Sequence, residues 1–290
     1  MKTFHLISNP VAGKNKAAKN LKRVEEILST RSIDYQTHLS QGERDATNIV
    51  KGLTGAGAKE LIVIGGDGTL HETLNGIENV ETCNVGLIPS GTGNDFAEQI
   101  GLPFDVDKAV SLIIDGEAKA TDYLDIGGVR CMNVGGLGMD VDVLERCKRG
   151  KLKGKLKYLW SLLQSLFAFK GYEVELISGD RVEKHNALLA VACNGSQFGG
   201  GIRICPTANV SDGLLDAMVV DNPYGKWKII KAFLALMKGK ILEKPITTHF
   251  LCDTLKIIPA KPCTVQLDGE LYTNLDFQAK ICKGLHFYRP

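Results

Sequence analysis

The sequence predicts a Rossmann-like α/β domain built on a parallel sheet, followed by an all-β antiparallel sandwich domain. The chain has 290 residues and is longer than chains that usually fold around a single hydrophobic core. Its first third alternates strand-like and helix-like segments, which is the pattern of a parallel sheet with covering helices. After Asp115-Gly116, most segments read as short strands separated by glycine, proline or asparagine turns. We therefore place the two domains at residues 1–124 and 125–283.

The first third supplies the strands and helices of the parallel domain. A helix predicted over 14–30 places Ala18, Leu21 and Val24 on one face at helical spacing. Strands are predicted at 4–8, 35–39, 61–64 and 84–88, and further helices at 43–53, 69–77, 94–101 and 106–115. Because helices separate the strands, we expect parallel strands joined by right-handed crossovers.

The remaining chain supplies the antiparallel domain. Strands are predicted at 118–126, 129–134, 173–177, 185–193, 214–219, 247–251, 254–258, 264–267 and 276–281, with a last strand at 285–288. A helix over 226–237 is suited to covering the sheet. The stretch 146–170 joins a run of lysines and arginines to Trp160 and Phe167, which favours contact with an anionic membrane surface. A solvated basic loop followed by a helix packed on the sandwich is the alternative.

Composition restricts the classes of function. A net charge of +2 argues against a dedicated nucleic-acid-binding protein. The eight cysteines include no pair at C-x-x-C spacing, and most lie in apolar runs, which favours buried free thiols in a reducing compartment. The chain reaches Asn9-Pro10 without an apolar signal segment, and no apolar stretch is long enough to span a bilayer. We therefore expect a cytoplasmic protein.

Three loops rich in small polar residues follow three predicted strands. They are Asn9–Gly13, Gly65–Thr69 and Ser90–Asp95. The carboxyl ends of parallel strands meet at one edge of the sheet, where ligands bind. Glycines let a bulky anion approach the backbone, and amides at a helix start favour negative charge. The pattern predicts a phosphate or nucleotide site; tight turns without a ligand are the alternative.

These loops carry a family resemblance. Asn9-Pro10 with Ala12-Gly13, then Gly65–Thr69, then Ser90–Asp95 resemble the three nucleotide motifs of the diacylglycerol kinase catalytic domain, as found in small soluble bacterial lipid kinases. Further matches run from 198–201 through 212–216 and at 268–270. The glycine motif at 65–69 alone is not specific, because NAD kinases and phosphofructokinases share it. The resemblance implies a fold of the NAD-kinase and diacylglycerol-kinase type, in which a last strand at about 284–290 returns to the first domain.

The resemblance implies that the three loops bind ATP. Backbone amides and hydroxyls of Gly66, Gly68 and Thr69 would face the phosphates, and Asn94 with Asp95 would lie toward the adenine or ribose. The full predicted set of nucleotide-binding residues is Asn9, Pro10, Gly65, Gly66, Asp67, Gly68, Thr69, Ser90, Gly91, Thr92, Asn94 and Asp95. The chain contains neither a P-loop nor a glycine fingerprint of dinucleotide-binding domains, so the nucleotide must be held in another way.

Three acidic residues are candidates for chemistry. Asp67 is predicted to bind a catalytic Mg²⁺ through water, since Mg²⁺ keeps waters and takes few carboxylates; a helix N-cap is its alternative role. Glu270, in Asp268-Gly269-Glu270, is predicted to be the general base, and a hairpin turn with an exposed acid is the alternative. The resemblance also implies a structural divalent ion held by Asp216 and the carbonyl of Met218, with a water-mediated link towards Asp67. From sequence alone Asp216 is an ordinary turn acid.

The predicted protein is a transferase: an ATP- and Mg²⁺-dependent lipid kinase that converts diacylglycerol to phosphatidic acid in phospholipid biosynthesis. Another lipid alcohol or, less favoured, NAD is an alternative acceptor. A non-catalytic, nucleotide-regulated lipid-binding protein is the rival from another class. Any contact with the membrane is expected to be peripheral, at its inner face. The sequence leaves both a monomer and a homodimer open.

Overall fold

The computed structural model describes residues 2–139, 141–142, 165 and 171–290. The chain divides into two compact units, Met1–Asp122 with Lys283–Pro290, and Tyr123–Cys282. The stretch 146–170, predicted to contact a membrane, lies outside the described residues except for Ser165. None of the described helices is both long and apolar enough to cross a membrane.

The first unit contains a parallel sheet. Its strands are β1 (Phe4–Ser8), β2 (Tyr35–Leu39), β3 (Glu60–Gly65), β4 (Asn84–Pro89) and the end of the last strand of the chain, β17 (Phe277–Tyr288). The order is β2–β1–β3–β4–β17, and each neighbouring pair is parallel. β3 is buried along its whole length, as expected for an inner strand covered on both faces.

Five helices accompany this sheet. They are α1 (Ala12–Thr30), α2 (Asp45–Gly55), α3 (Asp67–Gly76), α4 (Asp95–Gln99) and α5 (Val106–Asp115). At the start of α1, the residues Gly13, Lys14 and Asn15 have φ of +58°, +57° and +70°, so regular helix begins after them and not at residue 14 as predicted. The buried face of α1 includes one polar residue, Asn20.

The second unit is a β-sandwich-like arrangement of antiparallel strands. The strands are β5 (Ala118–Ile126), which begins in the first unit, β6 (Val129–Cys131), β7 (Val134–Gly138), β8 (Tyr172–Ser178), β9 (Arg181–Cys193), β10 (Gln197–Phe198), β11 (Ile202–Arg203), β12 (Leu215–Asp221), β13 (Thr247–Cys252), β14 (Thr254–Pro259), β15 (Val265–Leu267) and β16 (Glu270–Tyr272). One path runs β16–β15–β7–β9–β8–β14–β17, and β12 pairs with both β9 and β13. The predicted fold class, a parallel α/β domain and an antiparallel β-sandwich domain, is confirmed.

Two strand predictions are wrong in detail. The strand predicted over 129–134 is divided into β6 and β7, because the amides of Met132 and Asn133 donate to the carboxylate of Asp268. The strands predicted at 276–281 and 285–288 form one strand, β17, which continues through Gly284 at φ +96°. Glycine adopts this conformation without steric cost, so the strand continues past Gly284.

The helix predicted over 226–237 is α6 (Lys226–Met237). Its inner face contributes Ile229, Ala232, Phe233 and Leu236 to a hydrophobic cluster with β9 and β12. The described cysteines are free thiols that are buried or half-buried, as predicted. Cys193 and Cys205 lie in the cluster under α6.

Candidate active site

The three predicted loops meet at the carboxyl edge of the parallel sheet. A Cβ atom built on Gly66 would lie 2.8 Å from the Cα of Gly91, and one built on Gly91 would overlap Gly66 in turn. A Cβ atom on Gly13 would overlap the carbonyl oxygen of Ser90. Because only glycine lacks this atom, the three glycines permit a backbone approach that any other residue would block. The loops after β1, β3 and β4 thus form one continuous backbone surface.

Asp67 connects two of these loops. It is the first residue of α3, and its two carboxylate oxygens accept hydrogen bonds from the amides of Asn94, at 2.7 Å, and Phe96, at 3.2 Å. Hydrogen bonds to an ionised acceptor each contribute about 1.5–3 kcal/mol. A carboxylate has about four acceptor positions. A carboxylate is also a ligand type that Mg²⁺ takes, directly or through water, so the half-buried Asp67 fits the implied ion.

The loop after β4 is fixed by its own polar side chains. Asn94 has φ +59°, and its side chain accepts from the Gly91 amide at 2.8 Å and donates to the Gly91 carbonyl at 3.1 Å. The buried Ser90 donates its hydroxyl to the Ile88 carbonyl and its amide to the Gly65 carbonyl. Both side chains therefore shape the loop, while Thr92 at its tip is exposed.

Two side chains that sequence reasoning missed support the same loop. Asn20 of α1 donates to the Ser90 hydroxyl at 2.8 Å, and the Lys16 ammonium donates to the Pro89 carbonyl at 3.3 Å. Asn20 is only 6 % exposed. The sequence does contain a signal for Asn20: it is a polar residue four positions before Val24, on the helix face that is otherwise predicted to be apolar.

The Gly13 contact gives a direct test of the loop surface. Gly13→Ala would drive a methyl group into the Ser90 carbonyl in a left-handed conformation, and we expect a loss of about 1–3 kcal/mol in the free energy of unfolding together with weaker nucleotide binding. Urea unfolding and ATP titration would measure both. Gly52→Ala is the control, because Gly52 lies in α2 with open space at its Cβ position. An unchanged Gly13→Ala protein would show that the loops do not need this approach.

Glu270 lies in the second unit, at the start of β16. Leu267 and Glu270 are paired across a two-residue turn, in which Asp268 has φ +51° and Gly269 has φ +90°. These angles correspond to a type I′ hairpin, for which Asp-Gly is a favoured sequence. The turn presents Glu270 half-buried, next to a fixed anchor.

That anchor is Asp268. Its carboxylate accepts from the amides of Met132 and Asn133, each at 2.8 Å, and from the Cys131 thiol at 3.2 Å. Its own amide donates to the Val134 carbonyl, and the Gly269 amide donates to the side chain of Gln266. The hairpin that carries Glu270 is therefore tied to the segment between β6 and β7.

Asp268 should be essential for stability. Asp268→Ala removes the carboxylate that accepts hydrogen bonds from three donors. It also places alanine at a positive φ, which alanine adopts less readily than aspartate. We therefore expect a loss of about 2–4 kcal/mol in the free energy of unfolding. Chemical denaturation would measure it. Asp268→Asn keeps the left-handed preference and one acceptor oxygen and should lose less. Equal stability of the alanine variant and the wild type would contradict this role.

Asp216 lies on β12, where it is 2 % exposed. Its carboxylate pairs with Nε2 of His249 at 2.6 Å, and the hydroxyl of Thr207 donates to it at 3.5 Å. This bond to Asp216, assisted by Cys205, raises the pKa of His249 to about 10. Hydrogen bonding from Cys193 is the main cause that lowers the pKa of Cys205 to about 6. Met218, the other predicted ligand, is buried two residues further along β12.

Two family models match successive parts of the chain. Residues 3–126 match the model of the diacylglycerol kinase catalytic domain. Residues 133–285 match the model of the YegS C-terminal NAD kinase beta sandwich-like domain. The chain belongs to the diacylglycerol kinase catalytic domain family. The resemblance inferred from the loop motifs is confirmed.

Relatives in this family match over nearly the whole chain. A protein of Bacillus subtilis (strain 168) named "Diacylglycerol kinase" is 26% identical over 276 residues, with 93% of this chain and 90% of the relative covered. A "Probable lipid kinase YegS-like" of Pseudomonas fluorescens is 30% identical over 262 residues, with 89% and 86% covered. A solved diacylglycerol kinase structure from Bacillus anthracis superposes with a TM-score of 0.80 at 25% identity, covering 100% and 97% of the two chains.

Within this diacylglycerol kinase fold, the predicted site residues occupy distinct places. The predicted nucleotide-binding residues lie on the three loops of the first unit. There the side chain of Asn9 accepts a hydrogen bond from the Val11 amide, and the backbone carbonyl of the buried Thr69 accepts one from the Thr73 hydroxyl. Asp95 is buried at the start of α4. Glu270, Asp216 and Met218 belong to the second unit.

Proposed function

We propose that the chain is an ATP- and Mg²⁺-dependent lipid kinase that transfers the γ-phosphoryl group of ATP to the hydroxyl of diacylglycerol, yielding phosphatidic acid. The observation that carries the proposal is the meeting of three glycine loops with Asp67 between them. Relatives named diacylglycerol kinase or YegS-like lipid kinase support the choice of a lipid acceptor.

In this proposal the first unit, with the last strand, binds ATP. Phosphoryl transfer requires positioning and charge stabilisation more than covalent work by the protein. Amides of Gly66 and Gly68 and the hydroxyls of Thr69 and Thr92 would contact the phosphates. Asp67 would hold Mg²⁺ through water, and the ion would neutralise charge on the phosphates. The remaining predicted residues would shape the loops or lie toward the nucleoside.

The second unit would hold the acceptor lipid. The hydroxyl oxygen of the acceptor attacks the γ-phosphorus, its proton passes to the Glu270 carboxylate, and the bond to the bridging oxygen breaks as ADP leaves. The fixed hairpin at Asp268 supports this role, since a general base must be held in place. Peripheral contact with a membrane would bring the enzyme to its acceptor, because two acyl chains do not leave the bilayer readily.

The test is phosphoryl transfer in mixed micelles. Purified protein with ATP, Mg²⁺ and diacylglycerol should give labelled phosphatidic acid, and the reaction should stop with a chelator and resume with excess Mg²⁺. Other lipid alcohols and NAD, offered in parallel, separate the alternative acceptors. ATP binding without transfer to any acceptor would refute a kinase and favour the non-catalytic lipid-binding protein.

A further inference from the structure

Cys205, Asp216 and His249 bring three different metal-ligating atoms to one place. Nε2 of His249 lies 2.6 Å from Oδ1 of Asp216 and 3.8 Å from Sγ of Cys205, and the three atoms lie within 4.8 Å of one another. Asp216 belongs to β12 and His249 to the adjacent β13, where Met218 is the partner of His249. Cys205 follows β11 and is held by a backbone bond from its amide to Ser196.

The geometry argues against a nucleophile activated by histidine. In such a relay the imidazole uses its two different nitrogens, one toward the nucleophile and one toward the carboxylate. Here the thiol and the carboxylate both face Nε2. One nitrogen cannot take a proton from the thiol while it donates its own proton to Asp216. Three ligand atoms of these types within 4.8 Å of one another are compatible with a metal site.

The chemistry of the donors selects the ion. A thiolate and an imidazole suit Zn²⁺ and similar cations, whereas Mg²⁺ prefers oxygen ligands and ordered waters. The family resemblance implies a structural divalent ion at Asp216, but the imidazole at its Oδ1 and the nearby thiol are not ligands that Mg²⁺ prefers. Tetrahedral Zn²⁺ would separate sulfur and nitrogen by about 3.6 Å and nitrogen and oxygen by about 3.3 Å. The first value is close to the observed 3.8 Å, and the second requires His249 to lose a proton and move outward.

We propose that Cys205, Asp216 and His249 bind one Zn²⁺ or a similar borderline divalent cation that stabilises the second unit. The site is largely enclosed, with the Asp216 side chain 3% exposed and that of His249 26% exposed, which leaves access from the imidazole side. The Thr207 hydroxyl, 3.6 Å from Sγ of Cys205, or a water can complete four ligands. The proposal does not depend on the proposed phosphoryl transfer.

The test uses the full chain and does not need enzyme activity. Protein purified without chelators is analysed by elemental mass spectrometry, then stripped and titrated with Co²⁺, whose thiolate charge-transfer band reports sulfur ligation. We expect about one equivalent of metal, and a loss of at least 100-fold in affinity in Cys205→Ser and His249→Gln. Cys252→Ser, on the same strand as His249, is the matched control and should keep both signals.

Circular dichroism of each variant separates lost binding from lost folding. Wild-type protein that takes up no Co²⁺ at micromolar concentration would overturn the proposal. Binding that persists in both ligand variants, or that shows no thiolate band, would do the same. Cys205 and His249 would then be parts of a hydrogen-bonded cluster around Asp216.

A separate observation concerns the outer face of α6. Trp227, Lys231, Leu234 and Lys238 follow one another at helical spacing along this face, opposite the buried Ile229 and Phe233. Trp227 is 79% exposed and Leu234 is 50% exposed. Large apolar residues on a face that carries lysines do not fit a helix that only covers a core.

The charged side chains that line the groove beside this face are all lysines. Beside the helix lies an open groove of about 650 Å³, whose lining includes Pro223, Ala235 and Ile246 together with five lysines. Among the described residues, none that lines the groove is acidic. The lysines are Lys228, Lys231, Lys238, Lys240 and Lys244. Basic residues flanking an exposed tryptophan and leucine are the pattern of a helix that lies on an anionic bilayer. We infer that this face docks on anionic phospholipid. The role of such docking, which is to bring the enzyme to its lipid acceptor, rests on the proposed lipid kinase function.

Vesicle binding tests this face without ATP. We expect the protein to sediment with phosphatidylglycerol vesicles more than with phosphatidylcholine vesicles, and Lys231→Glu with Lys238→Glu to weaken binding at least tenfold. Trp227→Ser should weaken it as well. Lys184→Glu, an exposed lysine of β9, is the matched control. Equal binding to both vesicle types, or binding by the variants as strong as that of the wild type, would overturn the docking surface. A dimer that is lost in Trp227→Ser would instead show that this face contacts a second copy of the chain.

The same variants separate this inference from the proposed function. With a short-chain diacylglycerol dispersed in detergent micelles, activity should be unchanged by the lysine substitutions. With the acceptor in anionic vesicles, activity should fall together with binding. Absence of kinase activity in both assays would refute the proposed function, while the sedimentation result would still decide the docking surface.

Discussion

Replacing Glu270 by glutamine should lower the rate of phosphoryl transfer by about 10²–10⁴-fold while ATP binding is retained. Glutamine has nearly the same shape, so the hairpin between β15 and β16 should form as before. What is lost is a carboxylate that can accept the proton of the acceptor hydroxyl. The turn itself is specified by Asp268 and Gly269, which the substitution leaves intact.

Steady-state rates with diacylglycerol and a direct ATP titration distinguish this role from a structural one. Thermal unfolding should be nearly unchanged, because glutamine keeps the shape of the side chain and Asp268 still anchors the hairpin. Glu117→Gln, an exposed carboxyl between α5 and β5, is the control and should keep full activity. Full activity of Glu270→Gln would exclude Glu270 as the base and leave only the nucleotide loops of the proposal.

The parts of the site that could be predicted from the sequence are those determined by residues close together in the chain. Strand β3 is an apolar run that leads into Gly65-Gly66, and β4 is an apolar run that leads into Ser90-Gly91. The approach of the two loops therefore follows from the order of the parallel strands. The Asp268-Gly269 dipeptide indicates a hairpin turn, because both residues adopt a left-handed conformation readily. Such features need no knowledge of distant contacts.

The parts that could not be predicted depend on distant residues. Asp268 receives hydrogen bonds from Met132 and Asn133, more than 130 positions earlier in the chain. This contact divides a stretch that has strand periodicity throughout. His249 and Cys205 approach Asp216 through strand pairing and a loop, and neither shows motif spacing with it. Periodicity reports which face of an element is buried but not which polar groups meet there.

Asp67→Asn should lower phosphoryl transfer by about 10²–10³-fold and raise the Mg²⁺ concentration that half-saturates the enzyme. Each carboxylate oxygen of Asp67 accepts one amide, from Asn94 and from Phe96. The carbonyl oxygen of an asparagine side chain can accept a hydrogen bond from one of these two amides, but its amino group would then face the other amide, which is also a donor. We therefore also expect a loss of about 1–3 kcal/mol in unfolding free energy.

A control of similar stability cost is needed, because a weakened protein could lose activity for that reason alone. Asp105 is the N-cap of α5 and accepts from the Lys108 amide, so Asp105→Ala should cost about 1 kcal/mol. That variant should keep its rate and its Mg²⁺ dependence. If Asp67→Asn also kept both, Asp67 would only fasten the start of α4 to the loop after β3. If it lost both while the control kept them, the carboxylate would act on the nucleotide and its ion as well as on the backbone.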